Sequence, residues 1–404
     1  VFFCCGRQRR TSIEVLCLSG EDMKTRGLYI HIPFCSKKCG YCDFTSFAGN
    51  GDQIDDYLSY LEKEFSLYRS SGSIEDIETI FIGGGTPSIL SLSQLERLLS
   101  IVRENVDLSK IIEYTIESNP GSLTRDKLEL MRAAGLNRLS IGLQASQDHL
   151  LRFLERIHTY DDFLESYRLA RLVGFENINI DLMFAFQGQT LEDWKETLER
   201  VVYLDPDHIS AYSLIIEEGT RFYKMYEEGS LTDYDEDDYI DMYRYTIDYL
   251  EEKGYSQYEI SNFAKEGKEC RHNLIYWDDK EYYGLGLGAS GYLDGSRYTN
   301  HKYFPAYYQS LDFGMRPLAF EETISLEEKL NEYLILGLRK TMGISRAKYL
   351  ERLKKIDQDK YKENLEIIEN YINSGHIILE GDHIKLSQLG LEISDTISLD
   401  LLLY

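Results

Sequence analysis

No apolar run in this chain of 404 residues approaches the length of a membrane span; a helix crossing a bilayer needs about 20 consecutive apolar residues. Basic charge is also scarce: 44 Lys and Arg stand against 69 Asp and Glu, a formal net charge of −25. Broad binding to nucleic acid or to an anionic membrane needs a basic face that displaces counterions. No nucleic-acid partner is therefore expected, and membrane association is expected to be transient at most. Residues 1–22 hold Cys4, Cys5, Cys17 and the run Arg7-Gln8-Arg9-Arg10, but no long apolar core followed by a small-residue cleavage site, which speaks against a secretory leader. Met23 stands a few residues before the first strand-like run, so 1–22 reads as an N-terminal extension, expected to be disordered. Seven scattered cysteines do not make a secreted disulfide framework, and a cytoplasmic location is expected.

What the chain does have is three thiols in eight residues, Cys35-Ser36-Lys37-Lys38-Cys39-Gly40-Tyr41-Cys42, directly after the run Leu28-Tyr29-Ile30-His31-Ile32-Pro33-Phe34. On a regular helix the outer two sulfurs would sit about 10 Å apart along the axis. A curled loop brings them closer, and Gly40 has the backbone freedom for one. Structural zinc asks for four protein ligands, and no second Cys or His pair is evident. A disulfide would leave one thiol over. Three close cysteines in a chain of cytosolic character favour a metal cluster, and a 4Fe-4S cube on three cysteines keeps one iron open.

Hydrophobic residues make up 43% and aromatics 13%, enough for a substantial core. From Leu28 onward, strand-like and helix-like periods alternate. Strands are expected at 28–32, 77–82, 112–117, 138–143, 177–183 and 208–214; helices at 54–68, 92–102, 124–134, 161–173, 191–202 and 237–252. The fold class is therefore α/β, a partial barrel of six βα units spanning 23–315. Ligands of such barrels gather at the C-terminal strand ends. There stand Gly83-Gly84-Gly85-Thr86-Pro87, Glu117-Ser118-Asn119-Pro120, Gly142-Leu143-Gln144, Arg156 and Asp181. Arg156 suits a carboxylate gripped through two parallel hydrogen bonds, and Glu117, Gln144 and Asp181 offer acceptors for amino or ribose groups. Taken singly, each such residue is more often a cap or an internal hydrogen-bond partner.

The spacing C-x3-C-x2-C with Tyr41 before the third cysteine resembles the signature of the radical S-adenosylmethionine (SAM) superfamily. The resemblance implies a 4Fe-4S cluster on Cys35, Cys39 and Cys42, an electron donor for it, and SAM chelated to the open iron. It implies a SAM pocket formed by Tyr29, Tyr41, Phe44, Gly84, Gly85, Thr86, Glu117, Gln144, Arg156 and Asp181, matching oxygen-independent coproporphyrinogen III oxidases and their relatives. Those oxidases carry another cysteine two residues after the third ligand, where this chain has Phe44, and a longer segment before the first strand. The run His272-Asn273-Leu274-Ile275-Tyr276-Trp277 resembles a signature of the family's heme-chaperone branch. An imidazole can ligate heme iron and two aromatics can cover a macrocycle; a structural histidine is the alternative. The resemblance implies heme held by His272, Tyr276 and Trp277 and passed to acceptor proteins, with oxidative decarboxylation of coproporphyrinogen III as the rival function and another radical SAM reaction behind it. Gly284-Leu285-Gly286-Leu287-Gly288-Ala289 lacks the acidic partner and βαβ unit of a dinucleotide site and reads as a close-packed turn. Where relatives read Gly-Leu-Pro-Gly-Gln-Thr, this chain has Ala185-Phe186-Gln187-Gly188-Gln189-Thr190, so the shape of the mouth is expected to differ.

Residues 316–404 read as a small C-terminal domain, mostly helical and winged-helix-like, with helices at 326–338 and 361–372 and two short strands meeting at Glu380-Gly381-Asp382. The stretch 321–404 holds 11 basic and 16 acidic residues, which argues for contact with a substrate or protein rather than DNA.

Overall fold

The computed structural model describes residues 26–70, 74 and 76–404; the extension read at 1–22 lies outside the described residues. Six strands form where the apolar runs placed them: β1 (Arg26–Ile32), β2 (Ile77–Gly84), β3 (Glu113–Ser118), β4 (Arg138–Gln144), β5 (Ile178–Phe184) and β6 (His208–Ser213). They lie side by side in chain order, all parallel. Their near-continuous burial is what parallel strands covered on both faces require. The outer helices Ile54–Ser70, Leu92–Asn105, Arg125–Ala133, Tyr160–Leu172, Leu191–Tyr203 and Glu236–Glu252 follow the expected periods closely. Reciprocal capping boxes at Ser91/Gln94, Thr159/Asp162 and Thr190/Asp193 fix three of their starts.

The sheet extends beyond these six strands. β9 (Tyr282–Leu285) pairs in parallel with β1, and β10 (Ser290–Leu293), β11 (Ser296–Asn300) and β12 (Leu318–Thr323) continue antiparallel from it. At the other edge, β8 (Asn262–Ala264) and β7 (Ser256–Glu259) add antiparallel to β6. The sheet order is therefore β12-β11-β10-β9-β1-β2-β3-β4-β5-β6-β8-β7. Since β1 and β6 each have neighbours on both sides, they do not pair with each other and the barrel stays partial. The glycine-rich stretch read as a turn is part strand: Gly284 lies in β9, and only from Gly286, at φ +102, does the chain turn.

Buried Glu64 joins the added strands to the barrel. From helix Ile54–Ser70 it accepts from Gly286 N (2.8 Å), Asn300 Nδ2 (2.7 Å) and Tyr307 Oη (2.6 Å). Burial pushes its carboxyl up to about 7 against these three donors.

β12 belongs to the large sheet, so the change of unit falls after Thr323 and not at the expected 315/316 boundary. Beyond it, Leu330, Leu334, Tyr349, Leu353, Ile368 and Ile384 form a separate core. The order is helix Leu326–Leu338, strand Ile344–Ser345, helices Arg346–Ile356 and Gln358–Asn373, then strands Ile377–Glu380 and His383–Leu386 in one antiparallel sheet. That is a winged-helix order, with the hairpin turning at 380–383 as read.

Candidate functional site

The cysteine loop leaves the C-terminal end of β1. It is closed by a short parallel pairing of Phe34–Cys35 with Phe47–Ala48 and by a turn from Cys42 N to Cys39 O (3.2 Å). His31 holds it from inside. A carbonyl only accepts, so the imidazole donates Nε2–H to Thr45 O (2.7 Å), and Nδ1 then accepts from Tyr29 Oη (2.8 Å). Burial lowers His31 to about 4, which keeps it neutral for both bonds. Gly40 serves packing more than backbone freedom, since its φ is not positive and a Cβ there would overlap the Phe222 ring. Phe222, on helix Arg221–Glu227, donates its N–H to Gly40 O (2.9 Å) and meets Tyr41 edge-on.

A polar circuit crosses the mouth from one thiol to another. Cys35 Sγ lies 3.6 Å from Thr86 Oγ1; Asn119 Nδ2 donates to that hydroxyl (3.0 Å); Arg156 Nη2 donates to Asn119 Oδ1 (2.6 Å) and to Gly142 O (2.9 Å); Arg156 Nη1 reaches Cys39 Sγ (3.5 Å). Burial pulls the Arg156 guanidinium down, yet Tyr41 and Cys39 beside it leave it above its ordinary value. Its Nε is buried with no partner, an orphan donor suited to an anionic group at the mouth. Nothing in Glu117-Ser118-Asn119-Pro120 alone marks Asn119; its role between Thr86 and Arg156 depends on three loops meeting. The glycines at and just past the end of β2 fit closely against the protein itself: Gly84, at φ +108, lies against the His31 ring and donates to Glu117 Oε2 (3.0 Å), while Gly85 N donates to Ile32 O (2.8 Å). Gln144 ends β4 at a bulge with φ +76.

Below this mouth lies a barrel cavity of about 250 Å³ that brings together Tyr29, Phe44, Gly84, Glu117, Asp181, His272 and Tyr276. Cys35, Cys39, Cys42, Tyr41, Gly85, Thr86, Gln144, Arg156 and Trp277 are outside its lining. Burial, then the nearby Asp181, raises Glu117 to about 7. Asp181 accepts from Ser140 Oγ (3.0 Å) and Asn179 Nδ2 (2.7 Å), and burial raises it as well. Phe44 is 60% exposed at the rim.

The residues read as a heme site do not form one open face. His272 is fully buried on helix Arg271–Trp277, whose first N–H groups are capped by Glu113, the first residue of β3. It sits near Thr79 and Gly27, at the N-terminal ends of β2 and β1 and thus at the barrel end opposite the thiols. Both ring nitrogens are engaged, Nδ1 with Thr79 Oγ1 and Nε2 with Tyr276 Oη, each at 2.8 Å, and the ring stacks on Phe81. Burial, then Arg138, lowers it to about 3. Both ring nitrogens are thus satisfied within the protein. Trp277 turns away to the Arg339 guanidinium, 4.6 Å from its ring, at the junction with the C-terminal unit.

The cysteines fit an iron-sulfur cube better than a mononuclear ion. Among the described residues no three His, Cys, Asp or Glu side chains converge on one ion position, as zinc would require. A cube instead places each thiolate on its own iron, and the three thiols are half-buried on one loop.

Residues 29–201 match the radical SAM superfamily. A protein named heme chaperone HemW from Lactococcus lactis subsp. lactis is 39% identical over 374 residues, 93% of this chain and 96% of its own length. A namesake from Mycobacterium tuberculosis is 30% identical across 96% and 98%. The mouse protein named radical S-adenosyl methionine domain-containing protein 1, mitochondrial, is 33% identical across 98% and 92%. Among solved structures, the Escherichia coli coproporphyrinogen III oxidase HemN, a radical SAM enzyme, has a TM-score of 0.80 at 24% identity, covering 93% of this chain and 89% of its own; that likeness is one of fold.

Proposed function

Starting from the chain's membership of the radical SAM superfamily, and within it of the family of heme chaperone HemW, we propose that it binds heme and hands it to acceptor proteins in the cytoplasm. The family implies a 4Fe-4S cluster and SAM. Cys35, Cys39 and Cys42 would hold the cluster, which when bound supplies an open iron and a single electron. Arg156 would use its orphan Nε on the SAM carboxylate, while Thr86 and Asn119 keep the guanidinium in place. Tyr29, Tyr41, Phe44, Gly84, Gly85, Glu117, Gln144 and Asp181 complete the proposed pocket. Gly84 N is already spent on Glu117, so that carboxyl both braces the glycine loop and offers its remaining oxygen to an amino group.

The observation that carries the chaperone reading is Phe44. Two residues past the third thiol, where the oxidases carry a cysteine, this chain presents an exposed benzyl group with neither a ligand atom nor thiol chemistry. The Lactococcus lactis and Mycobacterium tuberculosis relatives, which span nearly the whole chain, carry the chaperone name. Partners under this reading are heme, acceptor proteins and an electron donor for the cluster. The test is anaerobic reconstitution with parallel assays: hemin should bind, and coproporphyrinogen III with SAM and reductant should yield no protoporphyrinogen. Decarboxylated product in stoichiometric excess over protein would establish the oxidase instead.

A further inference from the structure

Helix Asp148–Phe153 ends in a pair of bonds that recurs through this chain. Glu155 N donates to Arg152 O (3.1 Å) and Arg156 N to Leu151 O (2.9 Å), the closing motif in which the residue after the cap takes the left-handed region and is ordinarily glycine. Helices Arg125–Ala133, Tyr160–Leu172 and Glu236–Glu252 close in the same way on Gly135, Gly174 and Gly254, at φ +97, +95 and +86. Where an acid stands at such an end elsewhere, at Asp205 and Asp279, it is the shorter aspartate, whose carboxyl can bond to nearby backbone. Glu155 holds φ +58 with a longer side chain that turns from its own backbone to two cations. Backbone strain of this kind points to a use for the side chain that bears it.

The Glu155 carboxylate joins three elements. One oxygen pairs with Arg221, at the start of helix Arg221–Glu227; the other lies 4.0 Å from Nζ of Lys37, which stands between Cys35 and Cys39. The cations are 66% and 49% exposed, but the Glu155 side chain only 16%. It lies against Gly40, where an added Cβ would come within 3.4 Å of its Cδ. Arg156, the next residue, reaches Cys39 Sγ and Asn119. Apolar contacts run the same way beneath the ion pairs: Phe153 of the same helix stacks on Phe186 and packs on Phe222, and Phe222 meets Tyr41. The departure Ala185-Phe186-Gln187 thus lends a ring to the backing of the cysteine loop.

Resting on the assignment of a cluster to Cys35, Cys39 and Cys42, we infer that Glu155 is a positioning residue for that cluster: its carboxylate clasps the cysteine loop to helix Arg221–Glu227 and fixes a negative charge beside the thiols. Groups just outside a metal's ligands set both its retention and its potential. Ion pairs to exposed cations add little to global stability, so the clasp acts on the loop and not on the fold. Glycine at this position removes clasp and strain together: the fold gains while the cluster loosens. The pairs are also open to screening, so salt acts on wild type as loss of the carboxylate does.

The test uses the full chain, reconstituted anaerobically, as wild type, Glu155→Gly and Glu155→Gln. Urea unfolding of the metal-free protein reads the fold, cluster absorbance under a chelator reads the rate of loss, and a titration followed by electron paramagnetic resonance reads the reduction potential. Glu155→Gly should unfold at the same or a higher urea midpoint than wild type, yet lose its cluster about threefold faster or more, the scale of two exposed ion pairs. Glu155→Gln, which keeps the strain, should lose it as fast. Both should show a more positive potential, because a negative charge has left the neighbourhood of the iron. Raised salt should speed cluster loss in wild type and not in the variants. If both variants match wild type in rate and potential, Glu155 is only a helix end, and the inference is overturned while the cluster assignment stands. If Glu155→Gly loses its cluster in step with a lower urea midpoint and keeps the wild-type potential, the residue serves the fold and the inference is equally overturned. If wild type holds no cluster, the assignment fails with it.

Discussion

Gly84→Ala is the substitution through which the architecture of the thiol loop can be tested most directly. Gly84 ends β2 at φ +108, and a Cβ there would overlap the His31 ring. His31 has little room to yield, since Nε2–H is bonded to Thr45 O and Nδ1 to Tyr29 Oη. Gly49, just past the strand pair that closes the same loop, supplies the control: its φ is +85, but nothing lies within 4 Å of an added Cβ. Gly49→Ala carries backbone strain alone, about 1–3 kcal/mol. Gly84→Ala carries comparable strain plus overpacking against the imidazole, about 1–3 kcal/mol more. Urea unfolding of the metal-free protein should show that difference between the two variants. If His31 is instead pushed aside, Thr45 is released, and the reconstituted cluster should bleach faster under a chelator in Gly84→Ala than in Gly49→Ala. Equal destabilisation together with equal bleaching would refute the idea that His31 holds the cysteine loop.

Four further outcomes are expected. Cys35→Ala, Cys39→Ala and Cys42→Ala should each abolish the iron-sulfur absorbance while Cys270→Ala, whose thiol is buried beside Glu113 at the other end of the barrel, keeps it; a full signal in all three thiol variants would remove the cluster assignment. Arg156→Lys cannot keep the fork to Asn119, Gly142 and Cys39, and should weaken SAM binding about 10- to 100-fold, the equivalent of 1.4–3 kcal/mol, with the cluster intact; unchanged affinity by calorimetry would exclude Arg156 from the pocket. Glu64 is held near 7 when folded against an ordinary value of 4.5, so its protonated form favours the folded chain. That contribution is full below about pH 4.5 and is lost as pH rises through 7, by up to about 3 kcal/mol; the stability difference between wild type and Glu64→Gln should shift in that direction across this window, and a flat difference would show that the carboxyl titrates normally. His272→Gln should lower the unfolding midpoint, because the ring braces Thr79 and Tyr276; an unchanged midpoint would show that neither bond contributes.

Much of this molecule was legible in sequence because its signals are local. Strand runs and helical periods are set by neighbours two to four residues apart, and the six expected strands and the helices between them formed close to their expected bounds. The thiol motif is equally local, eight residues long, and its spacing carries the resemblance to the radical SAM signature. The added strands β9 to β12 were not legible. They are short, β10, β11 and β12 follow glycines that equally suit a turn, and β9 finds its place only beside β1, more than 250 residues away in sequence.

The same division runs through the site. That Glu117 lies at a strand end is a property of the sequence; Arg156 follows a helix twelve residues past Gln144, and Asp181 stands in the middle of β5. That Arg156 meets Cys39 through one nitrogen and Thr86 through Asn119 was decided by three loops folding onto one rim. Motif reading grouped His272, Tyr276 and Trp277 because they are adjacent on the chain. A seven-residue helix turns consecutive side chains to different faces, so His272 and Tyr276, four apart, share the barrel floor while Trp277 packs on Arg339. Composition and spacing determine which chemistry is available; which atoms are already satisfied, and so which remain free to bind, depends on partners that only the tertiary fold brings within hydrogen-bonding distance.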